Sequence, residues 1–148
     1  MPFRFSLETV LRVRKSFERL EHLRLVALAA IVAHMRRELE AYDRESANAS
    51  LQSQRGLLAG AVAAELQFET VRRAIRLQQR VILENNLLEL GRRYRKQQLV
   101  LLSAQRKREI LENLRSRKLA AYQREQARRE QQQIDELFLA RLFSKSVE

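Results

Sequence analysis

Along the first third of the chain, apolar residues recur in steps of three and four, at Val10, Val13, Phe17 and Leu20 and again at Leu28, Val32, Met35, Leu39 and Tyr42. Side chains so spaced lie on one helical face, so the pattern predicts a helix over about 6–46 with a seam for a partner helix. The eight-residue step from Leu20 to Leu28 reads as a four-residue insertion in heptad phase, a stutter that would locally unwind a left-handed supercoil. Ser6 is placed to cap the first turn, Glu8 sits at the positive end of the helix dipole, and Phe5 and Val10 have the spacing of a hydrophobic staple.

The periodicity fails after Glu45. Ser46, Asn48, Ser50 and Ser53 favour side-chain to backbone bonds that compete with a helix, and Gly56 and Gly60 follow. The reversal is therefore expected at about 47–60. Gly56 and Gly60 also spell GxxxG, but that motif packs helices inside long apolar spans, and this segment is not one. A second, proline-free stretch runs over about 61–143. Its apolar positions are Phe68, Val71, Ile75 and Ile82, then Leu83, Leu87, Leu90, Tyr94 and Leu101, then Ile110 and Leu114.

Two helices of about 65 and 120 Å, closed at the turn, form an all-α antiparallel coiled-coil hairpin in which the last third of the second helix overhangs. Residues 1–148 are read as a single such hairpin. The segment from Gln123 to Gln133 fits an overhang, since Ala127 is its only apolar residue. A rival reversal at Asn85, Asn86 and Gly91 would make the arms more equal and stays open.

Composition narrows the function. The 148 residues include three glycines, one proline and no cysteine, which excludes thiolate metal sites, a cysteine nucleophile and most turn-rich catalytic folds. No P-loop, GxSxG or glycine-rich phosphate cradle is present. His22 and His34 read as surface or seam residues, because zinc needs four convergent ligands. The chain is thus expected to be no enzyme, with no catalytic residue, metal or cofactor. Its longest apolar run, Leu25 to Ala33, has nine residues, about half of what a membrane span needs, so no transmembrane segment is expected. That run is apolar all round the helix, so part of it should stay exposed in a hairpin. The start MPFRFSLE lacks the apolar region of a signal peptide, and the default location is cytoplasmic.

Charge is concentrated as well as large. Of a net +11, a balance of +10 lies between Arg72 and Lys118, in runs such as Arg92-Arg93-Tyr94-Arg95-Lys96 and Arg106-Lys107-Arg108. Such a face steers acidic partners. Specific nucleic-acid recognition is not expected, because only Tyr94 and Tyr122 punctuate the basic half and no DNA-reading motif occurs.

Both ends carry a resemblance. The start FRFSLETVLRVRKSFE at Phe3–Glu18 and the end RKREILENLRSRKLAAYQREQARREQQQIDELFLAR at Arg106–Arg141 resemble the FliJ family, coiled-coil proteins of the bacterial flagellar type III export apparatus. The most telling residues are Leu7 and Leu11 after the aromatic-x-aromatic start, the run Lys107, Glu109, Leu111, Glu112, Leu114, and Asp135-Glu136. The resemblance implies an antiparallel two-helix stalk similar to the gamma subunit of rotary ATP synthases. It implies that the end bearing both termini enters the hexameric flagellar export ATPase, and that the turn end meets the cytoplasmic linker of the membrane export-gate protein. It also implies export chaperones as partners and a peripheral place at the inner-membrane apparatus. On this basis the ATPase-facing residues would be Phe5, Leu7, Leu11, Arg14, Arg106, Lys107, Glu109 and Glu112, and the gate-facing residues Leu39, Tyr42, Phe68 and Ile75. A stalk of the injectisome kind, or a generic basic coiled-coil scaffold binding nucleic acid nonspecifically, are the alternatives.

Overall fold

The structure, a computed structural model, describes residues 2–145. Two helices account for nearly all of it, α1 over Glu8–Leu58 and α2 over Ala63–Lys145. They pack against one another as an antiparallel coiled-coil hairpin, with no strand among the described residues. α2 passes through Asn85, Asn86 and Gly91 without a break, which removes the rival reversal.

The turn is shorter and later than the sequence pattern suggests. α1 continues through Ser46, Asn48, Ser50 and Ser53 to Leu58, so the reversal expected at 47–60 is confined to residues 59–62. Ser46, Ala49, Ser50 and Ser53 are half-buried at heptad spacing, where small side chains let the helices approach. Packing of that kind outweighs a propensity deficit of about 0.5 kcal/mol per residue. Gly60, at φ 91°, closes the helix by a Schellman motif: its N–H donates to the Leu57 carbonyl at 3.2 Å and the Ala61 N–H to the Gly56 carbonyl at 3.1 Å. Gly56 lies inside α1 with open space where a Cβ would stand. Gly60→Ala should therefore destabilise the hairpin by about 1 kcal/mol, while Gly56→Ala should stabilise it by about 0.5 kcal/mol. Thermal unfolding of the two variants side by side checks the pair.

The described chain forms two compact units, one of residues up to Arg19 with those from Ser103 onward, the other of Leu20–Leu102. Within α1 the inward positions are Leu11, Arg14, Glu18, Glu21, Leu25, Leu28, Val32, Met35, Leu39 and Tyr42, an unbroken three-four alternation. The stutter expected between Leu20 and Leu28 does not exist, because the seam does not run through Val10, Val13, Phe17 and Leu20. Those four are exposed, Val10 by 42% and Phe17 by 52%, while Leu11 is 2% exposed. The α2 list divides likewise. Leu83, Leu87, Leu90, Tyr94 and Leu101 lie in the seam, whereas Phe68, Val71, Ile75, Ile82 and Ile110 face outward.

Several polar side chains of the seam find partners across it. In the second unit, the Gln97 amide donates to the Glu21 carbonyl at 3.1 Å and to the Glu21 carboxylate. The Tyr42 hydroxyl lies 3.0 Å from the Arg76 carbonyl and 2.9 Å from the Gln79 side-chain oxygen, either of which can accept its proton.

Candidate interaction surfaces

The first unit gathers the residues on which both termini converge. α1 opens with the Phe5 carbonyl accepting the Glu8 N–H at 3.1 Å, so the helix begins two residues later than Ser6. Phe5 is buried, with the Lys118 ammonium 5.8 Å from its ring centroid, and Phe3 lies 5.7 Å from the Tyr122 ring. Val10, the expected staple partner of Phe5, points to solvent instead.

Ion pairs then fasten the two helices. Glu8 meets Arg115 at 2.9 Å, Lys15 meets Glu112 at 3.5 Å, and Arg108 bridges Glu18 of α1 and Glu112 of its own helix. The hydrogen bond to Glu18, with the charges of Glu112, Glu18 and Glu109, holds the Arg108 guanidinium above its ordinary pKa. Arg108 therefore binds within the protein, and of the run Arg106-Lys107-Arg108 only the first two are exposed.

All eight residues named for one partner thus fall in this unit, but they do different things. Phe5 and Leu11 are buried, Leu7, Arg14 and Glu112 are half-buried, and Arg106, Lys107 and Glu109 are exposed. The apolar surface on offer is instead the outer stripe Val10, Val13 and Phe17. Reading that stripe as core missed it. The signal was continuity of phase, since Leu11, Arg14, Glu18, Glu21, Leu25 and Leu28 keep the heptad without an insertion.

In the second unit, Leu39 and Tyr42 are half-buried in the seam, whereas Phe68 and Ile75 are exposed. Leu58 and Val62 flank Gly60 at the turn, the former 90% exposed. The outer side of Leu25 to Ala33 is open, including Val26 and Ile31. A shallow depression beside it is lined by Ala29, Val32, Ala33 and Arg36 of α1 and by Gly91, Tyr94, Arg95 and Gln98 of α2.

Part of the basic excess is bound internally. Arg80 contacts Asp43 at 2.7 Å and Glu84 at 2.6 Å, and Arg76 contacts Glu69 at 2.6 Å. Arg72, Arg73, Arg92, Arg93, Arg95 and Lys96 are exposed. The Arg80 hydrogen bond draws the Asp43 carboxyl below the usual carboxylate range, against the opposing effect of desolvation and with further help from the Arg80 charge. A depressed folded-state pKa contributes stability that is present above the ordinary value near ~3.9 and is lost as pH falls through the lower folded value. Asp43→Asn should accordingly flatten the acid limb of the stability-versus-pH curve and leave its neutral-to-alkaline shape unaltered, as followed by urea unfolding across pH.

His34 Nε2 stands 3.1 Å from Glu38 and both are exposed, and no group of residues suited to a metal occurs among the described residues. No described helix is long and apolar enough to cross a membrane.

From Ala127 to Lys145 every residue of α2 is exposed, so this arm runs on past the α1 start without a covering helix. It is rich in large apolar side chains near its end, among them Ile134, Leu137, Phe138 and Leu142.

A family model described as "Flagellar FliJ protein" matches residues 3–148. No curated protein and no solved structure matches the chain.

Proposed function

The chain belongs to the FliJ family, and so to the flagellar export apparatus, and from that premise we propose that it is the stalk of that apparatus. In this reading it works in the cytoplasm at the inner-membrane machinery. It promotes assembly and activity of the hexameric export ATPase, links that ring to the export-gate protein through its turn end, and handles export chaperones. The observation that carries the reading is the family match over nearly the whole chain.

The physical features that support it are local. In the first unit the protein is two helices thick and then one, a cross-section of about 20 Å narrowing to about 10 Å, suited to a ring opening. Val10, Val13 and Phe17 offer a modest apolar contact, and Arg106 and Lys107 are exposed cations of the same unit. A small apolar patch together with exposed cations binds acidic loops yet releases them, because exposed charges raise the rate of encounter more than the lifetime of the complex. At the other end, Phe68 and Ile75 are exposed and available for the gate linker, while Leu39 and Tyr42 are half-buried in the seam.

The test is ATP hydrolysis by the same organism's flagellar export ATPase, titrated with this protein at moderate salt. The intact chain should stimulate the ring. Val13→Asp with Phe17→Asp should raise the concentration needed for half-maximal stimulation by about tenfold, and Arg106→Glu with Lys107→Glu by a similar factor. All four side chains are solvent-facing, so helicity should be unchanged. Absence of stimulation by the intact chain overturns the stalk reading.

A further inference from the structure

The exposed arm of α2 has a partner written into its own pattern. Ala127, Ile134, Phe138 and Leu142 follow one another by seven, four and four residues, and so share one face of the helix. Ile134 and Phe138 are 59% and 61% exposed. Helical stretches of this length are marginal in water unless their apolar face is covered. Nothing in α1 covers it, since α1 begins at Glu8 and Phe3 packs at a tilt against Tyr122.

We propose that the arm pairs with the arm of a second copy of this chain, antiparallel, to form a dimer. In heptad terms Ala127 and Ile134 take one core position, Gln131 and Phe138 the other, and Arg128 and Asp135 the flanking position on one side. In an antiparallel pair like flanks face each other. Arg128 of each copy then meets Asp135 of the other, giving two ion pairs related by the twofold axis. The same register sets the large Phe138 against the small Ala127 of the second copy, and Ile134 against Gln131. A parallel pair fails on charge, since Asp135 would face Glu130 of the second copy.

The pairing is confined to residues 127–138, because in the next layer outward Arg141 would meet Arg124 of the second copy. Arg129 is bound to Glu125 at 3.1 Å on the outer side, and Gln131 holds Asp135 at 2.9 Å along the helix. Pairing over residues 127–138 buries about 700 Å² in total, the size of a weak, transient contact, so the dimer builds up only toward the upper end of the micromolar range. It is a reversible contact, and it needs neither the ATPase nor the gate.

The test uses the full chain alone, so its outcome is separate from that of the ATPase experiment. Sedimentation velocity across the micromolar range should show a monomer passing to a dimer, abolished by Phe138→Glu with helicity retained. Asp135→Arg should weaken the dimer about tenfold, and adding Arg128→Asp should restore it to within about twofold. The chain has no cysteine, so single cysteines report geometry without interference. Gln131→Cys lies beside the axis and should be joined to its counterpart by a short bismaleimide, whereas Leu142→Cys, about 30 Å from its counterpart, should not. A monomer at every concentration, a dimer indifferent to Phe138→Glu, a charge swap that fails to restore pairing, or joining at both cysteines or at neither overturns the proposal.

Discussion

Shortening Leu11 to alanine is expected to lower the unfolding free energy by about 3 kcal/mol, within the span usual for a fully buried leucine. Leu11 is 2% exposed and is joined as a buried apolar side chain only by Phe5 and Leu101 among the described residues. A two-helix assembly has no second layer to close over the void, so the loss of contact is not repaired by relaxation. The informative control is the adjacent residue. Val10 is 42% exposed, so Val10→Ala should cost less than about 0.5 kcal/mol. Urea unfolding followed by circular dichroism measures both. Equal losses at the two positions would mean that the seam runs through Val10, Val13 and Phe17 after all.

Reversing Arg108 to glutamate should cost about 2 kcal/mol, a larger effect than an ordinary surface ion pair supports. One guanidinium serves Glu18 across the seam and Glu112 along α2, with Glu109 at 4.0 Å. The substitution replaces that bridge by four carboxylates at a half-buried position, leaving Lys15, 3.5 Å from Glu112, to offset them. Because the folded protein holds Arg108 above its ordinary pKa, the guanidinium stays charged and the bridge persists far into the alkaline range. Glu18→Arg added to Arg108→Glu should recover about half of the loss, since it rebuilds the cross-helix pair but leaves Glu112 beside a like charge. No recovery would place the stabilisation of this region in Phe5, Leu11 and Lys118 rather than in the ion pairs.

These two sites show where sequence reading stops. Val10, Val13, Phe17 and Leu20 are more hydrophobic than Leu11, Arg14, Glu18 and Glu21, and a search for apolar spacing selects the wrong stripe. The true seam includes three charged residues, and for two of them α2 supplies the partner, Arg108 to Glu18 and Gln97 to Glu21. Buried polar groups are tolerated when their partners are present, and the partners here lie 90 and 76 residues away. The same holds at the turn. Ser46, Ser50 and Ser53 read as helix breakers by local propensity, yet α1 runs through them because they sit at small-residue positions of the seam.

By itself the sequence determined the secondary structure, the antiparallel pairing, the uncovered arm of α2 and the family. All of these follow from helical periodicity, from the scarcity of glycine and proline, or from patterns confined to one segment. Only the tertiary structure decided which face of α1 is inside, that the turn is residues 59–62, and that Arg108 fastens the helices while Arg106 and Lys107 remain outside. The physical reason is that a helix carrying two apolar stripes has no preferred inner face of its own. The choice is made jointly with the facing helix, by the polar partners that it supplies to one stripe and not to the other.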